Sequence, residues 1–346
     1  DIHGRVSRNG GRSWGDEFVL IEGSGVSKAT DCGFGDAAMV ADRESGEVLV
    51  VMVCGETVYG HETTTRQNPN RIAVLRSYDN AKSWTQWEEI TEDVYSLFDN
   101  GEFAPVQSCF VASGKILQSK HIKVGSHYRI YAALCARPNG NRVIYSDDFG
   151  RTWHALGGRN ALPVILGDEP KCEELPDGRV IISSRAWGGR YFNIYTYSDV
   201  ASGAGQWGPV AGSGKKLNGC VALENACNGE LLIVPAVRKS DGKSVLIALQ
   251  SVPLGPHRAN VGIYYKELPE DVSSTTPLIF ASDWERPYQV SETTSAYSTM
   301  LQLKNGNIAI YYEENENRNC RGGYDMIYEE LTIETITGDR QTITYD

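Results

Sequence analysis

With 346 residues and 41% hydrophobic content, the chain carries enough apolar material for a sizeable core. The length exceeds that of a usual domain, yet all-β barrels and propellers often run this long as a single unit, so length alone does not divide the chain and one domain over 1–346 is the expectation. A formal net charge of −11 argues against nucleic acid or an anionic membrane surface as the main partner, since both select for basic faces. No run is long and apolar enough for a membrane span, and the eight cysteines and six histidines show no CxxC pair and no zinc spacing, so neither metal nor cofactor is expected.

Asp1 stands just ahead of the octapeptide SRNGGRSW, Ser7–Trp14. The same pattern, a serine, an Asp or Asn, a small residue and a tryptophan, returns as SYDNAKSW at Ser77–Trp84 and SDDFGRTW at Ser146–Trp153, with a degraded copy, SDVASGAGQW, at 198–207. A catalytic carboxylate is needed once per site, so a repeated acid marks a structural module. Each serine follows a strand-like run, and Asp or Asn then Gly suits a tight reversal, because short polar side chains bond nearby amides and glycine accepts positive φ. The tryptophan is expected to bury its ring beneath the turn.

Between these modules the runs EVLVVMVC, NRIAVLRSYD, GRVIISSRA, RYFNIYTYSD, GELLIVPAV, KSVLIALQSV, ANVGIYYKEL and NIAIYYEE are rich in β-branched and aromatic residues and read as strands. The turn signals PDG at 176–178 and KNGN at 304–307 join neighbouring runs into hairpins. One segment, TEDVYSLFDN at 91–100, reads as a short helix. Many short antiparallel strands with a recurring module predict an all-β propeller, whose radial packing protects sheet edges. Cys32, Cys54, Cys109, Cys135, Cys172, Cys220, Cys227 and Cys320 are too sparse for a disulfide scaffold, and buried free thiols are expected, with Cys220 and Cys227 the one close pair.

The repeats resemble the Asp boxes of the sialidases (exo-neuraminidases) of bacterial type, which the family carries on a six-bladed propeller. Non-catalytic propellers also carry such boxes, so the function rests on other segments. The run DEPKCEELPDGRVIISSR, 168–185, resembles the family segment with a glutamate before a hairpin and an arginine at its second strand's end, which places those roles on Glu169 and Arg185. HRANVGIYY, 257–265, resembles the strand that supplies another pocket arginine, Arg258. SAYSTMLQLKNGNIAIYYEE, 295–314, resembles the segment with the nucleophilic tyrosine, Tyr297, and CGFGDAAMVADRESGEV, 32–48, the one with a pocket aspartate, Asp36. The family's first pocket arginine and its acid/base aspartate precede the first box. Neither is located here, Asp1 lies too close to the box for that role, and the expectation is that an N-terminal segment is missing.

The residue types suit the chemistry independently of the family. A sialoside bears a carboxylate on its anomeric carbon, which repels a carboxylate nucleophile and tolerates a phenol. A tyrosine with pKa near ~10 needs a neighbouring base, the role open to Glu169. Arginine forks grip a carboxylate through paired, charge-assisted bonds. Each residue also has a plainer explanation. Tyr297 is one of 18 tyrosines in a strand-like run, Glu169 has Asp168, Glu173 and Glu174 beside it, and Arg190 rivals Arg185. Asp36 could cap a Gly-rich turn, an insertion at 269–287 separates Arg258 from Tyr297, and Trp187 could stack on a sugar or merely pack. The resemblance implies a secreted or periplasmic retaining exo-α-sialidase acting on sialylated glycans. The alternatives are a trans-sialidase, intramolecular or not, and a non-catalytic glycan- or protein-binding propeller.

Overall fold

The computed structural model describes residues 1–315 and 323–342, which leaves Cys320 outside the described residues. Its strands form five blades of antiparallel sheet. Blade I holds Phe34–Ala41, Val48–Cys54, Arg71–Ser77 and Glu88–Glu89, with Gly114–Lys115 added in parallel beside Phe34–Ala41. Blade II holds Ser108–Val111, Leu117–Val124, His127–Arg137, Arg142–Ser146 and His154–Ala155. Blade III holds Pro170–Glu174, Val180–Ala186, Gly189–Asp199, Ala204–Trp207 and Ala211–Ser213. Blade IV combines Leu231–Arg238, Ser244–Pro253, Val261–Glu267 and Tyr288–Gln289 with the late strand Gln341–Thr342. Blade V has three strands, Thr294–Gln302, Ile308–Asn315 and Asp325–Leu331.

Among the described residues the expected six blades are therefore five. The strands on either side of the first box, Ile2–Gly4 and Phe18–Ile21, pair only with each other and make a two-stranded ribbon. That ribbon lies between blades V and I: Trp14 meets Tyr328 edge-on at 5.3 Å, the Tyr328 hydroxyl donates to Gly10 O at 3.0 Å, and the Asp1 amino group donates to Phe34 O at 3.4 Å. Two short strands cannot build the multistranded sheet that a blade requires.

The boxes fold as the turn chemistry predicts. Ser146 Oγ donates to Asp148 Oδ1 at 2.7 Å and accepts from Gly150 N, and Asp148 then accepts from Arg151 N, Thr152 N and the Thr152 hydroxyl. Ser77 and Asp79 repeat this set with Ala81, Lys82 and Ser83, and Ser7 and Asn9 repeat it in part with Gly11 and Ser13. Each turn has two successive residues at positive φ, Phe149 and Gly150 in the third copy and Asn80 and Ala81 in the second, so the reversal does not demand glycine there. The expectation for the tryptophans holds fully at Trp153 alone; Trp84 is half-buried and Trp14 is exposed, because its box belongs to the ribbon.

Apolar side chains of adjacent blades interlock into the core, for example Leu49, Val51 and Ile72 of blade I with Ile130, Leu134 and Ile144 of blade II. The helix read at 91–100 is present as Thr91–Tyr95 with a 3₁₀ turn Ser96–Phe98. Two further five-residue helices were not read. Pro277–Ala281 is capped by Thr276 and packs Phe280 on Phe192; Ile333–Thr337 is capped by Thr332. The insertion at 269–287 thus folds against the outside of blades III and IV. No helix of the described residues is long and apolar enough to cross a membrane. The seven described cysteines are free, six of them buried, and burial pushes the Cys54, Cys109 and Cys227 thiols up to about 12.

Strands of blades I and III, with the residue that precedes the first strand of blade IV, bring buried ionic groups together. Lys115 Nζ lies 3.4 Å from Glu173 and 3.6 Å from Glu230, while Lys171 donates to the carbonyls of Ala112 and Ser113.

Candidate active site

Glu169 directly precedes the strand Pro170–Glu174, and Pro170 pairs with Ser184, so the hairpin brings Glu169 opposite Arg185. Arg185 N donates to Glu169 O at 3.1 Å, and its Nη1 donates to Glu169 Oε2 at 2.6 Å. The sixteen-residue spacing is thus a hairpin register. Tyr297 arrives from blade V. Between Ser295 and Ser298 the pairing with Ile308–Asn315 slips, and the bulge re-aims the intervening side chains towards the axis. The Tyr297 hydroxyl lies 2.7 Å and 2.8 Å from the two Glu169 oxygens and accepts from Arg185 Nη1 at 3.2 Å.

Arg258 sits in the loop before Val261–Glu267. Its carbonyl accepts from Ser295 N at 3.1 Å, and its guanidinium lies 5.4 Å from the centroid of the Tyr297 ring, a cation–π geometry. The insertion folds outside and leaves this contact intact. Asp36 occupies a bulge between Gly35 and Ala38 at φ +48°, a conformation uncommon for a residue with a side chain. It keeps an exposed edge, yet the crowding of its carboxyl and then the Glu169 charge raise its pKa. The five residues singled out in the sequence therefore converge, with Tyr297, Glu169 and Arg185 in direct contact and Asp36 coupled to Glu169 through its charge. Arg190 does not join them: it is buried and donates to Ser183 and to Cys227 O.

Two acids escaped the sequence reading. Asp168 Oδ2 stands 3.2 Å from Arg185 Nε, while its Oδ1 accepts from Glu169 N and the Cys135 thiol. Glu313 accepts the Tyr297 backbone N–H at 3.1 Å, the donor that the bulge releases from the ladder. The adjacent acids in IYYEEN were the only available signal, and they do not say which side faces the axis.

Burial first, then the Glu169 charge and the hydrogen bond to it, drive the Tyr297 pKa upward, with Arg185 opposing. The group is a phenol at neutral pH whose proton already points at a carboxylate. Burial opposes the charge on Arg185, but the Glu169 bond and the Asp168 charge outweigh it and hold the guanidinium firmly ionised. Burial raises the Glu313 pKa, against the pull of the Tyr297 N–H and Arg258. Among the described residues no group of three or more His, Cys, Asp and Glu could hold a metal ion. The arrangement offers a nucleophile with an attached base, beside two guanidiniums suited to an anion.

No family model matches the chain. A curated sialidase from Micromonospora viridifaciens is 27% identical over 320 residues, covering 89% of this chain and 44% of its own length. By sequence the chain is similar to the sialidases. It spans less than half of that sialidase. Among solved structures, a Hadza microbial sialidase superposes with a TM-score of 0.70 at 18% identity, covering 97% of this chain and 60% of its own. The intramolecular trans-sialidase from Ruminococcus gnavus, solved with oseltamivir carboxylate, gives 0.68 at 15% identity, with 96% and 88% covered. Sequence likeness thus ties the chain to sialidases, and the structural likeness shows that it shares their propeller fold.

Proposed function

We propose that the protein is a retaining exo-α-sialidase that releases terminal sialic acid from glycoproteins, glycolipids or oligosaccharides. The observation that carries this reading is the Tyr297 hydroxyl held on both Glu169 oxygens beside Arg185 and Arg258. Arg185 and Arg258 bind the substrate carboxylate, which their planar forks match. Tyr297 Oη attacks the anomeric carbon as its proton passes to Glu169, and the bond to the leaving-group oxygen breaks. The leaving group takes a proton from an acid that none of these five residues is assigned to supply. Water then attacks the anomeric carbon, giving a proton to the conjugate base of that acid, while Glu169 returns its proton to the departing Tyr297 oxygen and restores the phenol. Two displacements retain the configuration, and a tyrosine nucleophile is the known sialidase exception among glycosidases. Asp36 lines the pocket near Glu169.

The second reading, transfer instead of hydrolysis, differs only in the acceptor that meets the intermediate. The trans-sialidase among the structural neighbours favours keeping it. Incubation with 3′-sialyllactose followed by proton NMR separates them: free sialic acid marks hydrolysis, an anhydro sugar marks intramolecular transfer, and a new sialoside marks transfer to an added acceptor. No consumption, together with saturable glycan binding that survives Tyr297→Phe, would leave a binding propeller. By resemblance the protein acts outside the cytoplasm, in the periplasm or as a secreted product.

A further inference from the structure

Arg185 is not the end of its strand's contribution. The hairpin Val180–Ala186 to Gly189–Asp199 turns through Trp187 and Gly188, and the Trp187 side chain is 77% exposed, so it does not pack. Its platform is rigid. Gly188 N donates to Asn225 O at 2.9 Å, and Ala222 N donates to Gly188 O at 3.3 Å. A Cβ on Gly189 would stand 2.0 Å from Ser213 O and 2.6 Å from Cys220 O, so the chain there is clamped from both sides.

Two more exposed apolar side chains stand on segments next to site residues. Leu166, 78% exposed, precedes Glu169 by three residues, and Leu223, 51% exposed, follows the bridge partner of Gly188 and accepts His257 N–H through its carbonyl, next to Arg258. Single exposed apolar residues need no explanation. Three of them each adjoin a segment that carries a site residue, Trp187 next to Arg185, Leu166 next to Glu169 and Leu223 next to Arg258.

We infer that Trp187 is a specificity-determining residue that stacks on the apolar face of the pyranose attached to sialic acid, with Leu166 and Leu223 flanking it. This rests on the sialidase reading. Trp187 lies two residues beyond Arg185, about 7 Å at ~3.3 Å per residue of extended strand, the reach of a single sugar ring. A flat indole on a clamped turn offers contact area at little entropic cost, whereas an acyl chain would need a deep apolar groove that three side chains do not form. Contact with the leaving sugar contributes binding energy remote from the reacting bond.

The test is saturation-transfer NMR of the Tyr297→Phe protein with 3′-sialyllactose, repeated with Trp187→Ala and Trp187→Phe added. The expected result is saturation on sialic acid and on galactose protons, loss of at least half of the galactose signal in Trp187→Ala with the sialic acid signal kept, and retention of both in Trp187→Phe. Equal galactose saturation in Trp187→Ala, or none in any protein while sialic acid saturates, overturns the inference and leaves the sialidase reading standing. No saturation on any sialic acid proton overturns both.

Discussion

The Tyr297 hydroxyl sits 2.7 Å and 2.8 Å from the two carboxylate oxygens of Glu169, a residue 128 positions earlier in the chain. Two independent backbone devices create the contact. A hairpin places Glu169 opposite Arg185, and a bulge in blade V turns Tyr297 inward, so neither residue depends on a mobile loop.

Tyr297→Phe removes the proposed nucleophile while conserving ring volume. Hydrolysis of an aryl sialoside should fall at least ~10²-fold, and Glu169→Gln should lose ~10²–10⁴-fold, the usual worth of a general base. The melting temperature should change little for Tyr297→Phe, which separates lost chemistry from lost fold.

The two arginines should respond differently to lysine. In Arg185→Lys the fork between Glu169 and Asp168 is lost, and a charged hydrogen bond of ~1.5–3 kcal/mol corresponds to an affinity loss of ~10–100-fold for a carboxylate-bearing substrate analogue. Arg258→Lys keeps a cation over the Tyr297 ring and should cost less, about tenfold at most. Calorimetric titration with a 2,3-unsaturated sialic acid reads both.

Glu313 sets a pH-dependent cost. Its pKa is raised in the folded protein, chiefly by burial, so its stabilising contribution is present below the unfolded carboxylate value of ~4.3 and is lost as pH rises through the folded value. Glu313→Gln, which keeps an acceptor for Tyr297 N–H, should therefore gain stability relative to the parent at pH 7 and lose that advantage at pH 4. Urea unfolding at the two pH values measures it.

Asp148 runs the opposite way. Burial works against its charge, but bonds from Thr152, Ser146 and Arg151 outweigh burial and hold its carboxyl below the usual range. Its contribution is present above the unfolded value of ~3.9 and disappears as pH falls through the folded one. Asp148→Ala should destabilise by ~1–3 kcal/mol at pH 7, much less in strong acid, and leave the affinity of the folded protein for a sialic acid analogue unchanged.

How far the sequence led can be judged from individual residues. Val48–Cys54, Arg71–Ser77 and Val180–Ala186 fall inside β-branched runs bounded by turn residues, and Leu231–Arg238 oversteps its run by one residue; in such runs pattern leaves little choice. The Glu169–Arg185 pairing was legible because a short hairpin with a PDG turn fixes its own register. Tyr297 stood out through its likeness to a family segment, since one tyrosine among 18 carries no local signal. Glu313 was illegible: its partner is an N–H freed by a bulge in the neighbouring strand, and a bulge is a tertiary event. The blade count failed for a similar reason, because strand pairing decides whether Ile2–Gly4 and Phe18–Ile21 belong to a blade or to a ribbon. The helix Pro277–Ala281 hid in LIF, an apolar triplet that reads equally well as strand.

The most direct measurement uses a 3-fluorosialosyl fluoride, whose good leaving group needs little acid assistance and whose fluorine slows breakdown of the intermediate. Intact mass followed by peptide mapping should find one fluorosialosyl unit per chain, on Tyr297, and none in Tyr297→Phe. A folded protein that acquires no adduct, or acquires it on Glu169 instead, would contradict a tyrosine nucleophile activated by Glu169.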